Sequence, residues 1–149
     1  MGSLHRGHLA LIKEAKKQAD IVVTSIFVNP TQFNDEKDFA FYPKNLDKDI
    51  ELLQKENIDI LFTPKAEDLY SDNFSVMIDL PNLTNKLCGK DRKGHFAGVC
   101  LILAKLFNII QPNKVILGLK DYQQYIVVKK MVQGLNFSLE VIGVETIRA

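Results

Sequence analysis

Between residues 21 and 28 the chain reads Ile-Val-Val-Thr-Ser-Ile-Phe-Val, a nearly unbroken β-branched run flanked by helix-periodic sequence. A strand that offers apolar side chains to both faces must be covered on both, which is the situation of a parallel sheet packed between helices. The rest of the chain alternates the same way. Gly7 to Ala19 places Leu9, Ile12, Lys16 and Ala19 three and four apart and predicts a helix. Asn29-Pro30 ends the strand, and a polar loop with aromatics runs to about Tyr42. Pro43 suits the first turn of a second helix, striped by Leu46, Ile50, Leu53 and Asn57. Ile58 to Thr63 predicts a second strand, closed by Pro64. A less regular section from Lys65 to Gly94 holds an expected strand, Phe74 to Leu80, and a short helix near Leu83 to Leu87. His95 to Ile110 reads as a strongly apolar helix stopped by Gln111-Pro112. Lys114 to Leu117 is a strand ending at Gly118, Lys120 to Gln133 a helix with Gly134 as C-cap, and Leu139 to Val144 a last strand. The expected class is α/β, a mostly parallel sheet with helices on both faces, with ligands bound beyond the carboxyl ends of the strands.

At 149 residues the chain is the size of one domain. Apolar residues at 46% and charged residues at 25% exclude disordered and low-complexity architectures. The net charge of +1 argues against a dedicated nucleic-acid binder, though not against a local basic cleft. The longest apolar stretch, Val99 to Ile110, is broken by Lys105 and Asn108 and is too short to span a bilayer. The first residues lack the apolar core of a secretory signal, and Cys88 and Cys100 read as two thiols of a reducing compartment, so a cytoplasmic location is expected. Two Cys and three scattered His do not supply a zinc site, and the metal ligands, if any, are unknown from sequence.

Four constellations carry chemistry. Leu4-His5-Arg6-Gly7-His8 puts two imidazoles on one face of a helix start, where unpaired backbone N–H groups and the helix dipole favour phosphate. Asn29-Pro30-Thr31-Gln32-Phe33 follows a buried strand, and its amides could bind a hydroxyl or carboxylate; taken alone, a polar turn explains it as well. Gly118-Leu119-Lys120-Asp121-Tyr122-Gln123-Gln124 brings an ammonium to the same zone, with Asp121 and Gln124 on one helix face. Lys90-Asp91-Arg92-Lys93-Gly94-His95 is either a solvated basic loop or a cationic flap over phosphates. All but the flap fall at expected carboxyl ends of strands, and together they suit a nucleoside triphosphate beside a small polar acid. No P-loop and no Gly-x-Gly-x-x-Gly fingerprint is present.

Met-Gly-x-Leu-His-x-Gly-His at 1–8, Ser-Ile-Phe-Val-Asn-Pro-Thr-Gln-Phe at 25–33, Gly-His-Phe-x-Gly-Val at 94–99, Ala-Lys-Leu-Phe-Asn-Ile at 104–109 and Lys-Asp-Tyr-Gln-Gln at 120–124 closely resemble the pantothenate synthetase (pantoate–β-alanine ligase) family. The His-x-Gly-His motif is shared by a wide nucleotidyltransferase superfamily, and the combination with the other segments is specific. The resemblance implies a Rossmann-like nucleotide-binding domain over 1–149. It implies ATP-dependent joining of pantoate and β-alanine through a pantoyl adenylate, with release of pyrophosphate and AMP, by a homodimer that uses Mg²⁺. It implies that Met1, Gly2, Ser3, Leu4, His5, Arg6, Gly7 and His8 form the ATP-binding turn, with His8 as proton donor and His5 and Lys120 supporting the departing pyrophosphate. Gly118, Leu119, Lys120, Asp121 and Ile147 would border ATP, Gln32 and Gln124 would hold pantoate with Asn29 beside them and Gln32 also near β-alanine, and Arg92 would lie in the flap. The family carries a strand before the Met-Gly, a Ser-Ser-Arg-Asn segment and a C-terminal domain, none of them in these 149 residues, so the chain alone is expected to be weak or inactive, with sheet edges left unpaired. Leu119 stands where the family usually has Glu, and Glu145 where it usually has Pro. Two other readings fit the shared motif, a nucleotidyltransferase acting on a phosphate ester and an inactive nucleotide-binding fragment.

Overall fold

The computed structural model describes residues 2–145. Met1 and Ile147, both expected at the ATP site, lie outside the described residues. The longer elements, in chain order, are α1 (Arg6–Gln18), β1 (Val23–Ser25), α2 (Glu36–Phe41), α3 (Leu46–Lys55) and β2 (Ile60–Phe62). Three single helical turns follow, α4 (Ala66–Leu69), α5 (Pro81–Thr84) and α6 (Cys88–Asp91). The chain then forms α7 (His95–Ile110), β3 (Lys114–Gly118), α8 (Tyr122–Gly134) and β4 (Glu140–Val144). Short 3-10 turns at Pro30–Gln32 and Leu119–Asp121 follow β1 and β3.

The α/β reading holds, with a difference in the sheet. β1 pairs in parallel with β2 and β3 in parallel with β4, but the two pairs are not hydrogen-bonded to each other. β1 and β3 therefore each keep an edge without a strand partner among the described residues. Helices do cover both faces. Ile26 and Leu61 pack into a cluster with Leu4, Ile12 and Leu53 of the α1 and α3 side. Their chain neighbours Phe27 and Phe62 pack the other way, against Leu69, Ile102 and Leu106. This is the alternation a strand imposes on successive side chains.

Helix α7 ties the two strand pairs together. It is apolar all round, as a helix buried on every side must be. Ile102 and Leu106 face the β1–β2 side, whereas Val99, Cys100 and Phe107 join Val127, Val128 and Met131 of α8 over β3 and β4. Its ends fall where the sequence puts them, at His95 and before Gln111-Pro112.

Four local expectations are corrected. No strand forms over Phe74 to Leu80, which carries no regular secondary structure and has no ladder partner; Val76 and Met77 are exposed. The short helix expected near Leu83 to Leu87 lies earlier, at Pro81–Thr84, because Pro81 takes its first position. Pro43 stays outside α3, whose start is fixed by Asn45 accepting the Lys48 amide. Gly134 is the last residue of α8, and the left-handed residue that follows is Asn136.

Candidate active site

The turn that leads into α1 is built by hydrogen bonds that the sequence does not announce. Asp49, buried on α3, accepts the amide of Leu4 on Oδ1 at 2.7 Å and that of Ser3 on Oδ2 at 2.8 Å. Ser3, held at a positive φ of 52°, also donates its hydroxyl to the Pro43 carbonyl. Asp49 escapes motif reading, yet it leaves one signal: it sits four residues before Leu53 and three after Leu46, an acid on the face expected to be apolar.

The two imidazoles then cap the helix reciprocally. His5 Nδ1 accepts the Gly7 amide at 3.1 Å, and His8 Nδ1 accepts the His5 amide at 3.3 Å. The rings lie 4.1 Å apart, tilted by 33°. A ring nitrogen that accepts an amide carries no proton, so each neutral imidazole holds its proton on Nε2. The pair thus presents two Nε2–H donors. A Cβ at Gly7 would come within 2.9 Å of the His5 ring, so a larger residue there would push that ring out of its capping position.

This arrangement changes how an anion would be held. Free backbone amides at the helix start are the expectation from sequence. In the structure the amides of Ser3, Leu4, His5 and Gly7 are already engaged, and the outward donors are imidazole N–H groups. His8 is moreover pushed down to about 4, chiefly by burial, then by the neighbouring His5, with Lys120 adding and Asp49 opposing. At neutral pH it therefore offers a hydrogen bond and no charge. Positive charge in this zone comes from Lys120, exposed in the turn after β3 and close enough to act on His8.

The second part of the site follows β1. Asn29 is buried at 2% exposure and caps the turn Pro30–Gln32 through the Thr31 amide. Its Nδ2 donates to Gln32 Oε1 at 3.3 Å and to the Gly98 carbonyl at 3.1 Å. Helix α7 lies backbone to backbone against this turn: a Cβ on Gly98 would sit 2.5 Å from the Thr31 carbonyl oxygen. The His95 ring holds the Gln32 carbonyl, Nδ1 to oxygen 2.9 Å, and since a carbonyl only accepts, Nδ1 carries the proton. Burial lowers the His95 pKa, and Arg92 and Asp121 act on it in opposite senses. The His95 ring is thus bonded to the turn after β1 and lies within electrostatic reach of Arg92 and Asp121. Phe27, Val28, Asn29, Gln32, Phe33 and Tyr42 line a small pocket beside the turn.

The named residues thus fall into two linked groups, His5, His8 and Lys120 on one side and Asn29, Gln32, Arg92 and Asp121 on the other. Arg6 is exposed in the first turn of α1, Gly2 lies beside Ile26 and Val28, and Gly118 and Leu119 form the strand end that carries Lys120. Gln124 is half-buried in the first turn of α8. Its neighbour Gln123 is structural: its amide donates to the carbonyls of Leu83 and Lys86 and accepts from the Cys88 amide, pinning the base of the flap. Sequence reasoning singles out neither Asp49, Tyr70 nor Gln123, because hydrogen bonds across about forty residues leave no local periodicity.

The family model for pantoate-beta-alanine ligase matches residues 1–149. Pantothenate synthetase of Pseudothermotoga lettingae is 48% identical over 148 residues, 99% of this chain and 53% of that protein. The Acinetobacter baumannii pantothenate synthetase is 51% identical over 150 residues, 100% of this chain and 53% of its own length. The crystal structure of the Thermus thermophilus pantothenate synthetase superposes with a TM-score of 0.97 at 45% identity, over 100% of this chain and 54% of that one. The Francisella tularensis pantoate-beta-alanine ligase, complexed with beta-gamma ATP and beta-alanine, gives 0.97 at 43% identity, over 100% of this chain and 57% of that one. The chain spans about half the length of the curated relatives it matches. With its motifs, its fold and these matches in agreement, the chain belongs to the pantoate-beta-alanine ligase family.

Proposed function

We propose that the chain is the nucleotide-binding domain of an enzyme that joins pantoate and β-alanine at the expense of ATP. The observation that carries the reading is the pair of Nε2–H donors on His5 and His8 within electrostatic reach of Lys120, together with the carboxamide turn at Gln32 after β1. Neutral donors and one ammonium fit a polyphosphate, and directed amides fit an acid that also carries hydroxyls.

The chemistry runs in two steps. A pantoate carboxylate oxygen attacks the α-phosphorus of ATP and the bond to the β-phosphate bridge breaks, giving pantoyl adenylate and pyrophosphate. The neutral amine of β-alanine then attacks the acyl carbon, AMP leaves with the bridging oxygen, and one proton is lost. His8 and His5 hydrogen-bond phosphate oxygens as charge moves onto the leaving pyrophosphate, and Lys120 supplies the positive charge there. Gln32 and Gln124 hold pantoate in line with the α-phosphorus, with Asn29 fixing Gln32 from behind and Arg92 covering the site from the flap. Gly2 to Gly7 and Gly118 to Asp121 border the nucleotide.

Mg²⁺ accompanies ATP in this reading. Among the described residues no group of three His, Cys, Asp or Glu gathers to hold a metal, and Asp49 has both oxygens on backbone amides. An ion entering with ATP would rest chiefly on phosphate oxygens and water, with at most one or two carboxylates from the protein.

Dimerisation is the second element of the proposal. The segment 74–80, with Val76 and Met77 exposed and no ladder partner, supports pairing with a second copy. The free thiols of Cys88 and Cys100 support a reducing, cytoplasmic setting, and among the described residues no helix is long and apolar enough to cross a membrane.

Turnover of carboxylate-¹⁸O pantoate by the full-length enzyme that contains this domain tests the reading. The label is expected in AMP, with AMP release dependent on both acids. AMP release that needs neither acid, or label recovered in inorganic phosphate, would overturn it.

A further inference from the structure

We propose that Tyr70 is a positioning residue that acts through Asn29 to hold Gln32 with its amide N–H groups turned to the ligand, so that the turn selects an oxygen acceptor on the acid. The inference rests on the reading of Gln32 as an acid-binding residue.

The hydrogen bonds of Asn29 leave one orientation for its amide. The Gly98 carbonyl can only accept, so the group 3.1 Å from it is Nδ2. The Thr31 amide can only donate, so the group facing it is Oδ1. Oδ1 also accepts from the Thr31 hydroxyl at 3.0 Å and from the Tyr70 hydroxyl at 2.8 Å. The second N–H of Nδ2 goes to Gln32 Oε1. Both halves of the Asn29 amide are occupied within the protein, at a site where the residue is 2% exposed.

Two consequences follow for Gln32. Its Oε1 already accepts from Asn29, so the amide offers a ligand the two N–H donors of Nε2 and at most one remaining lone pair on Oε1. Donors match a carboxylate or hydroxyl oxygen and repel an ammonium. The orientation thus assigns the turn to pantoate's oxygens in preference to the amine of β-alanine.

Tyr70 matters because of where it stands. Both Thr31 donors belong to the same turn as Asn29 and move with it. Tyr70 is the donor to Oδ1 that comes from outside the turn, and its contact is the shortest of the three. The ring is itself held, edge-on to Phe74 at 5.2 Å and with the Lys105 ammonium 5.4 Å from its centre. Tyr70 is therefore the post against which the Asn29 amide plane is set.

Tyr70→Phe removes only the hydroxyl and keeps the ring packing. Oδ1 retains two Thr31 donors, so thermal stability is expected to change little. The side-chain amide signals of Gln32 and Asn29 are expected to shift in ¹⁵N-correlated spectra while those of α3 and β2 stay in place; unmoved Gln32 signals would overturn the relay without reference to any ligand. By calorimetry the affinity for pantoate is expected to fall roughly 5- to 15-fold, the value of one hydrogen bond, with ATP affinity unchanged. Unchanged pantoate affinity, or equal losses for pantoate and ATP, would overturn the positioning role. A wild-type chain that binds ATP but no pantoate would overturn the function reading itself and remove pantoate as the ligand of this turn.

Discussion

The Nδ1 of His8 lies 3.3 Å from the backbone nitrogen of His5 and accepts a hydrogen bond from it, so the helix cap and the orientation of the His8 imidazole are one interaction. The tautomer of His8 is thereby set by the fold before any ligand arrives, with Nε2–H outward.

This coupling makes His8 a pH-dependent element of stability. Its pKa is held at about 4, below the ordinary 6.5, mainly by burial and by His5. Between these values the unfolded chain binds a proton that the folded chain refuses. The contribution is full above pH 6.5 and is lost as pH falls toward 4. Denaturant titrations are expected to show wild type losing on the order of 1 kcal/mol more than His8→Gln as pH falls from 6.5 toward 4, after solvent screening. Parallel curves across that window would contradict the assignment. In turnover, His8→Ala is expected to lower kcat far more than it weakens pantoate binding, and equal losses would reduce His8 to a binding residue.

Asp49 is the anchor behind that cap. Asp49→Asn replaces one acceptor with an N–H that faces a backbone N–H, leaving a buried donor unpaired. The expected loss is about 2–4 kcal/mol of stability, together with weaker ATP binding because the 2–8 turn is no longer held. Chemical denaturation and ATP calorimetry on the same protein check both parts. ATP affinity preserved in a folded Asp49→Asn chain would separate the anchor from the site.

Two glycines should respond in opposite directions. Gly98→Ala drives a methyl into the Thr31 carbonyl and the Gln32 Cα, at 2.5 and 2.8 Å, so it should displace the Pro30–Gln32 turn and weaken pantoate binding more than ATP binding. A Cβ on Gly134, the last residue of α8, meets nothing within 4 Å. Gly134→Ala should therefore raise stability by roughly 0.4–1 kcal/mol by restricting the unfolded chain. Thermal melts of both variants decide the matter.

Gln123→Ala should loosen the flap without touching the nucleotide side. Three hydrogen bonds from Gln123 tie 83–88 to α8. Their loss is expected to raise hydrogen exchange over 83–94 and leave α1 protected, and unchanged exchange there would show that the flap base is held by other contacts.

What the sequence made legible was periodic or dense. The apolar run of α7 fixed both of its ends, and the clustered His5 and His8, Gln32 and Lys120 could be placed from their position after strands. Paired sites built from distant residues were not legible. Asp49 reaches Ser3 and Leu4 across forty-five residues or more, and Tyr70 reaches Asn29 across forty-one. The 74–80 segment has strand-like composition, but a strand needs a hydrogen-bonding neighbour, and composition does not supply one. The engagement of the Ser3, Leu4, His5 and Gly7 amides by the side chains of His5, His8 and Asp49 was not legible for a related reason, because local motif reading does not show which side chain reaches an amide first.

The central claim is that His5, His8 and Lys120 share one bound triphosphate and that Gln32 and Gln124 share its acid partner. Side-chain ¹⁵N spectra of the chain, recorded through stepwise addition of ATP and then pantoate, test it most directly. The account predicts that ATP shifts the Nε2 signals of His5 and His8 and the Lys120 ammonium, and that pantoate then shifts the Gln32 and Gln124 amides. ATP that binds while both imidazole signals stay in place would contradict it.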